Sequence, residues 1–166
     1  RTPDIKAILS ALLLFLFVAV REEFVYRSYF LRRLTTAYNS LIALLIVTTV
    51  FILEHRAAGI SWKTSVIGSG LGGILFGIAA LKTKGIALPV GLHSAWNLGR
   101  WVFGLTENTG FWHYTNTYGN DIRDEAATLA TYAIIMFIAI SCFGLLPAHY
   151  LNKIHWSNYS RKRVQL

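Results

Sequence analysis

Residues 8–27 read ILSALLLFLFVAVREEFVYR. From position 8 to 20 the only polar residue is Ser10, and two adjacent carboxylates, Glu22 and Glu23, follow, with Arg27 four residues beyond Glu23. A charged side chain at bilayer depth costs about 2.5–3.5 kcal/mol on insertion scales, so an acidic pair at the end of such a run is a functional site by default. The run itself sets the fold class. Together with four further apolar stretches it makes the chain an all-α, polytopic transmembrane helix bundle with about five membrane segments.

Composition agrees. The 166 residues are 54% hydrophobic and 14% charged, against about 25% charged in a soluble domain. The segments lie at residues 5–20 (continuing as helix to 34), 41–53, 66–81, 86–105 and 126–146. They form one bundle over residues 1–151, with the motif-bearing core at 11–105 and a basic polar tail at 152–166. The chain opens on Arg1, not on Met, and reads as part of a longer membrane protein. The net charge of +8 is carried by loops and tail, where it anchors helices and sets orientation, so nucleic acid is not a partner. Arg32, Arg33, Lys82, Lys84 and the tail fall on one side, the cytoplasmic one by the positive-inside rule; Glu107, Asp121, Asp124 and Glu125 fall on the other, where Arg56 and Lys63 weaken the bias without reversing it. Cys142 is alone, which leaves neither a disulfide frame nor a thiolate metal site.

The third segment carries Gly68 with Gly72 and Gly73 with Gly77. Small residues four apart let helix backbones approach closely in lipid, which predicts a central position in the bundle.

Depth arithmetic then pairs the polar residues. From Glu22 to the turn near Tyr38 a helix rises about 24 Å, and His55 lies equally far along the returning helix. Both fall at one level of an antiparallel hairpin, where a carboxylate and an imidazole can activate a water or share a metal ion. Glu23 and Arg27 have the spacing of a helix ion pair. His93 and Asn97 project from one helix face. They can serve as oxyanion donors or as a polar helix contact. One mismatch stands out: His93 is about 13 Å from the basic turn at Lys84, so it reaches the depth of Glu22 only if the third helix is short or tilted, or if residues 85–88 dip inward. Glu54 is expected to point away from its neighbour His55. His113, with Trp112 and Tyr114, reads as an interfacial aromatic belt, and His149 and His155 as solvent or headgroup contacts.

Glu-Glu-x-x-x-Arg at 22–27, Phe-x-x-x-His at 51–55 and His-x-x-x-Asn at 93–97 resemble, in order and spacing, the motifs of the CAAX protease and bacteriocin-processing (Abi) family of intramembrane proteases, which includes CAAX prenyl protease 2. The likeness covers residues 11–105, with Ser28 where the family usually has glycine. It implies an intramembrane endopeptidase in which Glu22 and His55 activate water, His93 and Asn97 stabilise the oxyanion, and Glu23 and Arg27 support Glu22. It implies a mechanism without cofactor, with zinc on Glu22, His55 and His93 as the alternative; the His-Glu-x-x-His zinc signature is absent. Expected partners are the lipid bilayer and a peptide or membrane-protein substrate, possibly a prenylated one. The short loops suggest a bacterial cell membrane. Two competing classes are a non-catalytic scaffold or bacteriocin-immunity factor using the same groove, and a proton or ion carrier.

Overall fold

The computed structural model describes residues 4–105 and 121–145, which form five helical rods and no strand. The first rod is α1 (Ile5–Glu23), a π-helical stretch π1 (Phe24–Leu31) and α2 (Arg32–Ala37). Asp4 caps it by accepting from the Lys6 amide at 3.0 Å. Asn39 caps the second rod, α3 (Ser40–Ala57), by accepting from the Ile42 amide at 2.9 Å. These two side chains satisfy backbone donors that helix starts leave orphaned. The third rod is π2 (Thr64–Ser69) running into α4 (Gly70–Thr83), the fourth α5 (Ala87–Val102) and the fifth α6 (Asp121–Leu145). Pro89 sits in the first turn of α5, where its missing N–H costs no helical bond.

Three stretches are long and apolar enough to cross a bilayer: Ser40–Ala57, Thr64–Thr83 and Ala126–Leu145. The sequence reading has about five membrane segments, and the two rods that miss this standard are the ones that carry the acidic pair and the His-Asn pair. α1 contains Lys6, Arg21, Glu22 and Glu23, and α5 is only 16 residues long. Large apolar side chains such as Phe17, Leu41, Leu45, Ile134 and Phe137 point outward. In water such a surface would be a liability; facing lipid it costs nothing.

α4 is the central element. Half of the Thr64–Thr83 span is buried, against 11% of Ala126–Leu145. Its two glycine stripes serve two different neighbours. A Cβ on Gly73 or Gly77 would meet Thr48, Phe51 and Leu44 of α3. On the other side, a Cβ on Gly72 would lie 3.4 Å from the Tyr132 hydroxyl of α6, and that hydroxyl donates to the Gly68 carbonyl at 2.6 Å. Lys82 closes the far end of this seam by donating to the carbonyls of Phe143 and Gly144, the latter at 2.7 Å.

The depth mismatch resolves here. Arg32 donates to the Lys84 carbonyl at 2.9 Å, so the α4–α5 turn lies level with Arg32, well short of the α2–α3 hairpin. Counted from that level, Glu22 and His93 are ten and nine residues away, about 15 and 13 Å. The α4–α5 turn sits closer to the carboxylates than the α2–α3 hairpin does, and His93 reaches them.

Candidate active site

Glu22 and Glu23 close α1 immediately before the helix changes to π winding. Single π-helical insertions recur at functional sites because they re-aim side chains without ending the helix. Both carboxylates are buried, Glu23 completely. Arg27, whose side chain is 0% exposed, donates to Glu23 Oε1 at 3.2 Å and to the Gly73 carbonyl at 3.3 Å. Its guanidinium lies 4.6 Å from the centre of the Phe51 ring and 5.6 Å from that of Phe76, which adds a cation–π contact in a desolvated place. The expected Glu23–Arg27 pair is therefore present, and it is tied to α4 as well.

His93 joins these carboxylates. Its Nδ1 lies 2.9 Å from Glu23 Oε1, and its Nε2 lies 3.8 Å from Glu22 Oε2. Phe76 stacks on the imidazole at 4.9 Å and 17°, fixing the plane of the ring. Because a carboxylate accepts, Nδ1–H is the donor to Glu23. Glu22 differs from its neighbour. Its Oε1 accepts from Arg21 at 3.0 Å, while its Oε2 is buried without a hydrogen bond. Such an atom costs about 1–3 kcal/mol of desolvation and calls for an explanation in function.

His55 stands across from this group. Tyr26 packs edge-on against Phe51 at 5.0 Å, the register that also puts Glu22 and His55 at one level, one helical turn away. The two do not touch: the described residues hold no hydrogen bond or ion pair between them. The His55 ring instead packs on Phe51 at 4.4 Å, and its Nδ1 donates to the Phe51 carbonyl at 2.9 Å. A carbonyl only accepts, so the neutral ring carries its proton on Nδ1 and leaves Nε2 as a base. Glu54, expected to point elsewhere, places Oε2 3.1 Å from the same Nδ1.

His55, His93 and Asn97 line one cavity of about 1050 Å³, walled by Phe51 and Phe76 and closed on one side by Trp96 and by Tyr132 of α6. Glu22 and Glu23 lie behind His93, outside that lining. Among the described residues no three His, Cys, Asp or Glu side chains are placed to share a metal ion. Three participants escaped the sequence reading: Arg21, Phe76 and the Gly73 carbonyl. Arg21 adjoins the acidic pair and carried a visible signal; the other two depend on helix packing. His113, His149 and His155 lie outside the described residues.

The type II CAAX prenyl endopeptidase Rce1-like family model matches residues 4–99, more than half of the chain. The chain belongs to that family. The match takes in the acidic pair, His55, His93 and Asn97 together, and makes the chain an integral membrane CAAX-type protease acting on peptide or protein substrates in the membrane. No curated protein and no solved structure matches it.

Proposed function

We propose that the chain is an intramembrane endopeptidase of the glutamate type, in which Glu22 takes a proton from the attacking water. The buried Oε2 of Glu22, which lacks a hydrogen bond and lies 3.8 Å from His93 Nε2, carries this reading. Glu23 is already committed to Arg27 and His93, so Glu22 is the carboxylate with basicity to spare. His55, whose Nδ1 is held by a carbonyl, offers Nε2 from the cavity wall to hold the same water.

Attack on a peptide carbonyl creates a negative oxygen that needs preorganised donors. Asn97 supplies an amide from the cavity wall. His93 supplies Nε2–H when doubly protonated, its Nδ1–H remaining with Glu23. The proton taken by Glu22 then passes to the leaving amine. The substrate is a membrane-borne peptide or protein, with a prenylated C-terminus as the favoured class and a bacterial membrane as the proposed setting.

The test is cleavage of a prenylated peptide by the full chain in lipid vesicles, set against Glu22→Ala and His55→Ala, each with and without a zinc chelator. Loss of cleavage in both variants with indifference to the chelator is expected. Chelator-sensitive cleavage would return the mechanism to a metal, and full activity in both variants would leave only the scaffold reading.

A further inference from the structure

The cavity continues along α5 beyond Asn97 to Arg100, which is half-buried in its wall. Arg100 is the only Lys or Arg in the described lining, and that lining contains no Asp or Glu to neutralise it. Its one hydrogen bond within the described residues is a long one, 3.5 Å to the Leu105 carbonyl. A guanidinium in a mostly apolar cavity, with so little of its donor capacity used among the described residues, is suited to meet an anion.

The geometry points to Arg100 as the anchor for the C-terminal carboxylate of the substrate, an inference that rests on the peptidase reading above. A CAAX motif is the last four residues of a chain. Any bond cut within it therefore lies one to three residues from a free carboxylate. Three extended residues reach at most about 10–11 Å. Arg100 is seven residues from His93 on the same helix, about 10.5 Å along its axis. A peptide whose scissile carbonyl sits at His93 and Asn97, and whose chain follows α5, brings its terminal carboxylate to Arg100. The planar guanidinium takes a carboxylate through two parallel hydrogen bonds. The same cavity lining includes Phe103, Leu129 and Ile135, apolar wall for aliphatic side chains. The site thus selects a peptide by where it ends.

The experiment compares kcat/KM in vesicles for one S-prenylated peptide ending in Cys-aliphatic-aliphatic-Ala, prepared as the free acid and as the C-terminal amide, with the unmutated chain and with Arg100→Gln. Amidation and Arg100→Gln should each lower kcat/KM about ten- to a hundredfold, the scale of a hydrogen bond to a charged group. Both together should cost little more than either alone. The peptide pair alone tests the unmutated chain, so a folding defect in the variant cannot mask the answer. If the unmutated chain treats acid and amide alike, the carboxylate is not read and Arg100 has no such role, while the peptidase reading stands. If the two losses multiply, Arg100 acts through the fold, and the inference is equally overturned. If neither peptide is cut by the unmutated chain, the peptidase reading fails and takes this one with it.

Discussion

His93 divides the site into two unlike halves. Behind it Glu22, Glu23 and Arg27 form a dry knot, with Arg27 and Glu23 fully buried. In front of it His55, Asn97 and Arg100 face a wide cavity and keep partial exposure. The knot couples α1, α4 and α5 through charge: Arg27 reaches Glu23 and the Gly73 carbonyl, and Glu23 reaches His93. On the cavity side His55 is held by a local bond within its own helix, to the Phe51 carbonyl four residues back. The one hydrogen bond described there between helices joins two neutral groups, the Tyr132 hydroxyl and the Gly68 carbonyl. Preorganisation is thus concentrated where charge must be fixed, and room is left where a peptide must enter. Damage to the two halves should therefore look different.

The largest effect should come from Glu22, which belongs to the knot by burial and to the chemistry by its free oxygen. Glu22→Gln keeps the volume and removes the base, and cleavage should fall about 10²- to 10⁴-fold with little change in thermal unfolding in detergent. A variant that kept its rate would move the base elsewhere. Arg27→Met should instead strike stability. Stranding Glu23 without its cation costs about 3–5 kcal/mol, seen as a lower unfolding temperature and as lost activity together. If Arg27→Met unfolded normally but lost cleavage, the knot would be catalytic in its own right and the division drawn here would be wrong. On the cavity side, His55→Ala should lower the rate about a hundredfold and leave unfolding nearly untouched, because the ring is partly exposed and bonded only within its own helix. Coincident losses of rate and stability would place His55 in the knot.

Much of this was legible in the sequence where one helix decides the matter. The acidic pair, the Glu23–Arg27 spacing, and the shared face of His93 and Asn97 follow from helical period alone. The hairpin register also follows, because Asn39 fixes the turn and depth is additive on either side of it. Relations between helices were out of reach. Nothing in residues 24–31 announces π winding, and the level of the α4–α5 turn rests on Arg32 reaching the Lys84 carbonyl, a contact between residues far apart in sequence. The pairing of His93 with both carboxylates, and the cover of Phe76 over its ring, depend on how α5 is rotated against α1 and α4. Glu54 failed differently. Neighbours on a helix diverge at Cβ, but a long side chain in a last turn can bend back, and it does.

The smallest effect tests whether the knot depends on how closely α3 and α4 approach. A Cβ on Gly77 would come within 2.2 Å of Leu44 Cδ1, the tip of a buried side chain, with the next atom at 3.7 Å. Leu44 must change rotamer inside a packed core or the helices must part, a strain of about 1–3 kcal/mol. Gly91 on α5 is exposed, and a Cβ there meets nothing within 4 Å, so Gly91→Ala should gain up to about 1 kcal/mol from helix propensity. Unfolding of Gly77→Ala and Gly91→Ala in the same detergent should therefore move in opposite directions. Gly77 lies one turn from Gly73, whose carbonyl holds Arg27. If α4 is pushed off α3, the bond to Arg27 lengthens and the cleavage rate of Gly77→Ala should fall even well below its unfolding temperature. Equal unfolding of the two variants would remove the close approach of α3 and α4. An unfolding change in Gly77→Ala with an unaltered rate would show that the knot tolerates movement of the helix that braces it.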